Sequence, residues 1–317
     1  MNFVLTEMTF LRYFMPLIIE GTTRGITSRL LIHPNGKYNN PHKYNDFLTK
    51  LSEKHNFLLE PLSDIDLYRD TTFLVEGCGS EFTKKNKTIS LTYQTDFSLS
   101  YDKYINRVDK VVFPSKFFAK YYKTLSDKNL YLGSPKYDVV LDSNKIYNKY
   151  NIGNSRCALV VFPRRRDMKK VNLEKIYNRL EEAGYTILVK TRGKDPAPEE
   201  LQGHYYFEDD SWYPHTTMEL MKISDIIINF GSTAIKESVL LTRPVINFNI
   251  KPFELPLDFL YNEEYCVNLS PEADMNSFSE SIESLTTKDL SAAYKKAMKK
   301  YLFVPGSVSK RILDEVL

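Results

Sequence analysis

The sequence predicts an α/β protein of two domains, each built on a mostly parallel sheet. The chain has 317 residues, about twice the length of a typical domain. Short apolar runs alternate with helical patterns in both halves, which is typical of parallel strands joined by crossover helices. No pattern recurs at a fixed period, which argues against a solenoid.

The first half opens as a strand, a helix and a second strand. Asn2–Thr6 is a short apolar run, Met8–Ile19 has apolar residues at helical spacing, and Ser28–His33 is a second run. Pro16 interrupts the helical pattern, so we expect the helix to start near Pro16 and to stop near Gly25. Further strands are predicted at Thr72–Val75, Thr88–Thr92 and Lys110–Phe113.

The second half alternates more regularly. One helical face runs from Leu173 to Leu180 and ends at a capping glycine, Gly184. We expect Thr216 or Thr217 to cap a second helix. The predicted strands are Ala158–Phe162, Thr186–Lys190, Tyr205–Phe207, Ile226–Phe230 and Val245–Phe248. The predicted helices include Met218–Ile223, Ala234–Leu241 and most of Ser277–Leu317.

Composition and charge limit the class of protein. The formal net charge of +3 comes from well-mixed charges, and no long basic run with interleaved aromatic residues stands out. This argues against a nucleic-acid binder and leaves peripheral contact with a membrane open. Cys78, Cys157 and Cys266 are widely spaced, which argues against a zinc site or a disulfide framework and favours the cytoplasm. The apolar stretch over Met8–Ile19 is too short to span a bilayer.

The sharpest local pattern lies between Ile226 and Asn249, where a buried strand ends at Gly231-Ser232-Thr233 and a helix begins. Free backbone N–H groups and the positive end of the helix favour an anion such as phosphate at this place. The alternative is a tight turn and a helix cap without a ligand. Glu237, in the first turn of this helix, could accept hydrogen bonds from a ribose or could stabilise the helix dipole.

Cationic residues follow other strands of the same half. An arginine cluster begins at Arg164 after one strand, and Lys190 and Arg192 end the next. Cations at the mouth of a sheet would neutralise a diphosphate and stabilise it as a leaving group, although each one alone could be a solvated surface residue. His215 precedes a helix after another strand, where it could contact a phosphate or a base or simply be a satisfied loop histidine.

The stretch Lys222–Glu237, continued by Leu240–Phe248, resembles the donor-binding half of GT-B-fold enzymes. It is most similar to the group of UDP-N-acetylglucosamine 2-epimerases and CDP-glycerol glycerophosphotransferases. Gly133–Asp138 matches the Gly-x-Pro-x-x-Asp element that closes the first domain in that group, and Phe303–Leu317 resembles its closing helix.

The resemblance implies two Rossmann-like domains facing a central cleft. An acceptor-side domain would span residues 1–138, and a nucleotide-donor-binding domain would span residues 139–317, with its last helix packing back on the first domain. The resemblance also implies that Ser232 and Thr233 contact the diphosphate and that Glu237 holds the ribose.

The leading hypothesis is a glycosyltransferase of polysaccharide biosynthesis that moves a sugar from a nucleotide-diphosphate or nucleotide-monophosphate donor to a surface glycan, a lipid-linked glycan or a similar acceptor. No metal and no cofactor beyond the nucleotide-sugar donor is expected, because the cations and the helix end can stabilise the departing diphosphate. Inversion would need a general base from the first domain. Glu7 and Glu76 are the first candidates, followed by Asp96, since each follows a predicted strand.

Three alternatives remain at this stage. The protein could be a sugar-nucleotide epimerase or hydrolase, a CDP-glycerol-type glycerophosphotransferase, or a non-catalytic relative that binds a nucleotide or a partner. The loop after Lys190 reads Thr191-Arg192-Gly193, where a histidine-proline pair is common in the glycerophosphotransferases. This departure argues against glycerophosphate transfer.

Overall fold

The structure is a computed structural model that describes residues 1–34, 40–62, 70–83, 86–93, 97–191, 195–208, 211–250, 258–302 and 306–317. The chain divides into two compact units. The first comprises Met1–Val139 and Lys299–Leu317, and the second comprises Val140–Met298.

The first unit contains one parallel sheet, with seven strands in the described residues. The strands are β1 (Asn2–Leu5), β2 (Arg29–Ile32), β3 (Leu58–Pro61), β4 (Thr72–Val75), β5 (Thr88–Leu91), β6 (Lys110–Phe113) and β7 (Asn129–Tyr131). They pair in the order β3-β2-β1-β4-β5-β6-β7. The two edge strands, β3 and β7, were not predicted from the sequence.

Aromatic side chains fill the centre of this unit. The Phe3 ring on β1 stacks on Phe73 of β4, with ring centroids 5.1 Å apart, and lies 5.4 Å from the Phe14 ring. Every residue of β1, β4 and β5 is buried. Burial of whole strands is expected where helices cover both faces of a parallel sheet.

The first helix is longer than predicted. A 3₁₀ turn over Met8–Phe10 leads into α1 (Leu11–Thr23), so Pro16 lies inside the helix. Proline lacks the N–H that would donate to the carbonyl of Arg12, which costs about 3 kcal/mol or more within a helix. Burial outweighs this cost, because each large apolar side chain contributes about 1.5–3 kcal/mol. The fully buried side chains around the proline are Leu11, Phe14, Met15, Leu17 and Ile18.

The other helices of the first unit before its last strand are α2 (Asn45–His55), α3 (Phe97–Tyr104) and α4 (Lys116–Tyr121).

The second unit repeats the same architecture with a six-stranded parallel sheet in the described residues. Its strands are β8 (Cys157–Val161), β9 (Thr186–Lys190), β10 (Tyr205–Phe207), β11 (Ile226–Asn229), β12 (Val245–Phe248) and β13 (Cys266–Leu269), paired as β10-β9-β8-β11-β12-β13. Its helices are α5 (Ser143–Tyr150), α6 (Leu173–Glu182), α7 (Thr216–Ile223), α8 (Ile235–Leu240), α9 (Asp258–Tyr261), α10 (Met275–Thr287) and α11 (Ser291–Ala297). The edge strand β13 was not predicted.

The C-terminal helix α12 (Val308–Val316) belongs to the first unit. Arg24, the residue that caps the C-terminus of α1, donates from Nη1 to Oδ1 of Asp314 at 2.8 Å. Lys87 donates from Nζ to the carbonyl of Val316 at 2.6 Å. The apolar face of α12 is buried through Val308, Ile312, Leu313 and Val316. No helix in the described part of the chain is long and apolar enough to cross a membrane.

Candidate functional site

The carboxyl ends of the strands in the second unit bring several predicted residues to one edge of the sheet. Lys190, the last residue of β9, pairs with Val161 of β8, and β8 pairs on its other side with β11. The segments that follow these three strands begin at this edge. Arg164 follows β8, Lys190 is the last residue of β9, and the Gly231–Thr233 turn follows β11. In parallel sheets this edge is the usual place for a ligand.

A turn follows β11 at the place that the sequence predicts, between the strand and the next helix. Gly231 has a φ of +67°, a left-handed value that glycine adopts without steric cost. The hydroxyl Oγ of Ser232 accepts a hydrogen bond from the N–H of Ala234 at 3.3 Å. Helix α8 then begins at Ile235, one residue later than predicted.

Only part of the predicted set of free N–H groups is present. The N–H groups of Ile235, Lys236 and Glu237 donate to carbonyls three residues earlier, at 3.1–3.3 Å. By contrast, the backbone N–H groups of Ser232 and Thr233 have no hydrogen-bond partner among the described residues. The N–H groups at this junction that are open to an anion are therefore those of the turn and not those of the first turn of the helix.

Asparagines on neighbouring strands fix this turn. Asn247 of β12 is fully buried, and its Oδ1 accepts from the N–H of Gly231 at 2.8 Å and from Nδ2 of Asn229 at 3.4 Å. Its Nδ2 donates to Oδ1 of Asn268 on β13 at 2.9 Å. Asn229 pairs with Asn247, and Asn247 with Asn268, in the register of the sheet. We call these three residues the asparagine ladder.

Tyr261 holds the other side of the turn. Its hydroxyl donates to the carbonyl of Ser232 at 2.5 Å and accepts from Nδ2 of Asn229 at 2.7 Å. Burial raises the pKa of Tyr261 well above its usual value, so the hydroxyl keeps its proton and remains a donor. The carbonyl of Ser232 and the N–H of Thr233 belong to one planar trans peptide and point in opposite directions. Anchoring this carbonyl therefore turns the N–H of Thr233 away from Tyr261.

Glu237 is the third residue of α8, in the first turn as predicted, and only 5% of its surface is exposed. After burial, its negative charge is one of the smaller causes that raise the pKa of Tyr261. Its role toward a ribose stays a prediction.

The two described cations differ in their surroundings. Arg164 is exposed and lies just before a 3₁₀ helix over Arg165–Lys170. Lys190 is only 4% exposed, and its Nζ donates to the carbonyl of Thr191. A solvated surface role is therefore excluded for Lys190.

His215 occupies the N-cap position of α7, which begins at Thr216. The prediction that Thr216 or Thr217 caps this helix was therefore wrong by one or two residues. The hydroxyl of Thr216 instead accepts a hydrogen bond from the N–H of Ser211 at 3.3 Å. His215 is half-buried and lies in the connection after β10, an edge strand separated from β8 by β9.

Two of the predicted general bases follow neighbouring strands of the first unit. Glu7 comes after β1 and accepts from the hydroxyl of Thr9 at 3.1 Å. Glu76 comes after β4 with a φ of +49° and accepts from the N–H of Tyr93 at 3.4 Å. Cys78 is exposed at the surface, yet the groups packed around its sulfur and the negative charges of Glu76, Glu7 and Glu81 raise the pKa of the thiol to about 11. The carboxylates of Glu7 and Glu76 therefore both lie near Cys78.

Asp96 and Arg192 lie outside the described residues. Among the residues that are described, no group of three or more His, Cys, Asp or Glu side chains could hold a metal ion.

Comparison with known proteins gives no match to a family model or to a curated protein. Solved structures, however, resemble the chain over almost its whole length. The wall teichoic acid polymerase TagF has a TM-score of 0.66 at 13% identity, covering 99% of this chain and 87% of that one. The UDP-GlcNAc 2-epimerase of Methanocaldococcus jannaschii, in complex with UDP-GlcNAc and UDP, has a TM-score of 0.60 at 12% identity, covering 99% and 98%. A glycosyltransferase from Rickettsia africae has a TM-score of 0.56 at 16% identity, covering 99% and 97%.

The chain has the GT-B fold. At these identities the likeness concerns the fold, and it confirms both the predicted class of two Rossmann-like units and the suspected structural group. Its structural neighbours include glycosyltransferases of the GT-B type.

The asparagine ladder is the part of this GT-B chain that sequence reasoning missed. A signal for it was available, because β11, β12 and β13 each contain an asparagine next to apolar residues near the carboxyl end, at Asn229, Asn247 and Asn268. A buried polar residue needs partners, and for Asn229 and Asn247 the neighbouring asparagines supply them.

Proposed function

We propose that the chain is a glycosyltransferase that moves a sugar from a nucleotide donor to a surface glycan or a similar acceptor. The observation that carries this proposal is the turn at Ser232 and Thr233, whose two backbone N–H groups have no partner among the described residues. Such groups at the carboxyl edge of a parallel sheet suit the oxygens of a phosphate.

The cations at the same edge supply charge for the leaving group. Lys190 adds an ammonium charge at the end of β9, where its Nζ also donates to the carbonyl of Thr191. Arg164 adds an exposed guanidinium on the neighbouring strand end. When the bond between the anomeric carbon and the diphosphate breaks, these groups stabilise the negative charge that remains on the diphosphate.

Glu237 is assigned to the ribose of the donor. Its carboxylate is buried in the first turn of α8, next to the turn that receives the phosphates. A carboxylate can accept hydrogen bonds from both ribose hydroxyls. His215 is assigned to the same ligand, at a phosphate or at the base.

The first unit is assigned to the acceptor and to the general base. In the proposed step a carboxylate removes the proton of an acceptor hydroxyl, the oxygen attacks the anomeric carbon, and the nucleotide diphosphate leaves. Glu7 and Glu76 are the candidates, since they follow adjacent strands and both act on the pKa of Cys78. No metal is assigned to this reaction, because the backbone N–H groups and cations carry the leaving-group charge.

An epimerase or hydrolase acting on the sugar nucleotide alone is the second candidate. It is favoured by the likeness to the 2-epimerase of M. jannaschii, whose structure holds UDP-GlcNAc and UDP. Analysis of products distinguishes the two functions. Conversion of a UDP-sugar in the absence of any acceptor would favour the epimerase or hydrolase, whereas a product that forms only when a glycan acceptor is added would favour the transferase.

Binding of nucleotides, measured as a rise in Tm, tests the common part of both candidates. UDP, CDP and CMP, and then UDP-N-acetylglucosamine and CDP-glycerol, are added in excess. A ligand at one hundred times its Kd stabilises the folded state by about 2.7 kcal/mol. No shift with any of these ligands would contradict the proposal.

Variants locate the binding site. Arg164→Gln removes one charge-assisted contact worth roughly 1.5–3 kcal/mol, so Kd should rise by about tenfold to a hundredfold. Arg179→Gln is the matched control, because Arg179 lies on α6 in an ion pair with Glu182, with 2.9 Å between Nη1 and Oε2, and should leave Kd unchanged. Equal effects of the two substitutions would place the nucleotide elsewhere.

A further inference from the structure

A second surface of the first unit combines exposed lysines with aromatic rings. Helix α4 carries Lys116 and Lys120 four residues apart, with Phe117 and Tyr121 beside them at the same spacing. The Phe117 and Tyr121 rings stack with centroids 6.1 Å apart. Lys123 follows in the turn after the helix. We call this surface, together with Lys300, the basic–aromatic patch.

The patch is strongly cationic. Between Lys110 and Ser126 the sequence has four lysines and no acidic residue. Lys116, Lys120 and Lys123 are exposed, and none of them forms an ion pair with a described residue.

A second segment of the chain adds to this charge. Lys300 lies over the Phe117 ring, 5.6 Å from its centroid, and Tyr301 contacts the same ring at 4.8 Å. The stretch from Leu290 to Leu313 also contains no Asp or Glu. The nearest acidic residue that follows α4 is Asp127, whose Oδ1 accepts from the hydroxyl of Ser126 at 3.1 Å.

The patch also exposes apolar surface. Tyr121 is 43% exposed, and Leu125, just beyond the helix, is 54% exposed. These are two of the few large hydrophobic side chains that the described chain leaves exposed. A soluble polyanion would satisfy the lysines but would offer nothing to Leu125.

A lipid bilayer with anionic headgroups satisfies both features. Lysines next to such a surface each contribute about 1 kcal/mol, and tyrosine prefers the headgroup level because its ring is amphipathic. A leucine can enter the boundary with the acyl chains. The absence of a spanning helix from the described chain does not conflict with contact of this kind.

We propose that the basic–aromatic patch docks this protein onto the surface of an anionic lipid bilayer. The inference comes from α4 and the residues around it, and it does not depend on the proposed transferase activity. The sequence has no long basic run with interleaved aromatic residues, but Lys116–Leu125 is a short run of this type.

Co-sedimentation of the full chain with vesicles tests this proposal. Vesicles of phosphatidylcholine and phosphatidylglycerol in equal parts are compared with phosphatidylcholine alone. The protein should sediment with the anionic vesicles only, and sodium chloride should weaken this binding, since exposed charges are screened by salt. Equal binding to both vesicles, or none to either, would overturn the proposal.

Two sets of charge reversals distinguish binding through the patch from an effect of the net charge of the protein. The variant with Lys116→Glu, Lys120→Glu and Lys123→Glu should bind the anionic vesicles at least about a hundredfold more weakly, because each lysine contributes a factor of about five. The control variant with Lys43→Glu, Lys50→Glu and Lys54→Glu makes the same change in charge at exposed lysines on and next to α2, and it should bind as the unaltered chain does. Equal losses in both variants would overturn the assignment to the patch.

A third variant distinguishes a bilayer from a polyanion. Tyr121→Ser with Leu125→Ser keeps every lysine, and it should weaken binding to the anionic vesicles while binding to heparin stays unchanged. If vesicle binding were unaffected by this change, the patch would be a site for a soluble polyanion and the lipid assignment would be wrong. The Tm of each variant, measured alongside, should remain that of the unaltered chain.

Discussion

Replacing Asn247 by Ala should damage both the stability and the nucleotide binding of the second unit. The side chain is fully buried at the centre of the asparagine ladder, between Asn229 and Asn268. Alanine removes the acceptor for the N–H of Gly231 and the donor for Oδ1 of Asn268. No other described side chain accepts a hydrogen bond from the N–H of Gly231.

The magnitude follows from the groups that lose their partners. Asn247 makes two short hydrogen bonds, at 2.8 Å to the N–H of Gly231 and at 2.9 Å to Oδ1 of Asn268. A buried polar group left without its partner costs about 1–3 kcal/mol, which applies to the half-buried N–H of Gly231. Asn268 is exposed, so its Oδ1 can accept from water instead. The bond from Asn229 at 3.4 Å is weaker, and Asn229 keeps its contact with Tyr261. We expect the free energy of unfolding to fall by about 1–3 kcal/mol, which corresponds to a decrease in Tm of roughly 2–12 °C.

Urea denaturation and nucleotide titration measure the two effects separately. Asn129→Ala is the matched control, because Asn129 is also buried but lies in the first unit, where it accepts from the hydroxyl of Tyr101 at 2.8 Å. Both substitutions should lower the stability, but only Asn247→Ala should also raise the Kd for the nucleotide. A loss of less than about 0.5 kcal/mol for Asn247→Ala would refute the structural reasoning. A Kd that rises equally in both variants would refute the link to the ligand.

Three further predictions follow. Leu313→Ala on α12 should lower the free energy of unfolding by about 2–5 kcal/mol through the cavity it leaves, whereas Glu315→Ala, on the exposed face, should change it by less than about 0.5 kcal/mol in urea denaturation. The Cys78 thiol, whose pKa is raised to about 11, should remain protonated and react slowly with iodoacetamide at neutral pH. Glu76→Gln removes one of the negative charges that raise this pKa, so the pH profile of alkylation should move to lower pH. An unchanged profile would show that the charge of Glu76 does not act on the thiol. Sugar transfer should continue after treatment with EDTA, and a loss that added Mg²⁺ or Mn²⁺ restores would contradict the assignment without a metal.

The central strands could be predicted from the sequence because burial leaves a continuous apolar run. The bounds predicted for β4, β6, β9 and β12 are those that the structure has. Helices cover both faces of these parallel strands, so nearly every position selects an apolar residue. For such strands the amino-acid composition of the segment is sufficient to predict the strand.

The missed strands lie at the edges of the sheets. β3 reads Leu-Leu-Glu-Pro and is partly exposed, and β13 reads Cys-Val-Asn-Leu with no fully buried residue. An edge strand has one neighbour only, and its composition is closer to that of a loop. Their pairing is decided by the rest of the sheet, which a local pattern does not contain.

The start of α1 was misplaced for a related reason. The cost of a proline inside a helix is local and can be read from the sequence. The gain from burying Phe14 and Ile18 against the sheet is tertiary. Here the gain from burial is larger than the cost of the proline, so a rule based on the proline alone gives the wrong boundary of the helix.

In the candidate site, too, some features have local causes that can be read from the sequence, and others have tertiary causes. The Gly231 turn was predictable, because a strand that ends in Gly-Ser-Thr before a helix needs a left-handed residue at that point. The direction of the N–H of Thr233 was not, since it is set by Tyr261, which follows the next strand and holds the carbonyl of Ser232. Dipoles that are already fixed need no reorganisation when charge develops on a leaving group, which is why fixed N–H groups contribute more than mobile ones. If the proposed site binds a phosphate, Tyr261 and the asparagine ladder would therefore contribute to its binding by fixing the turn, without contacting the phosphate themselves.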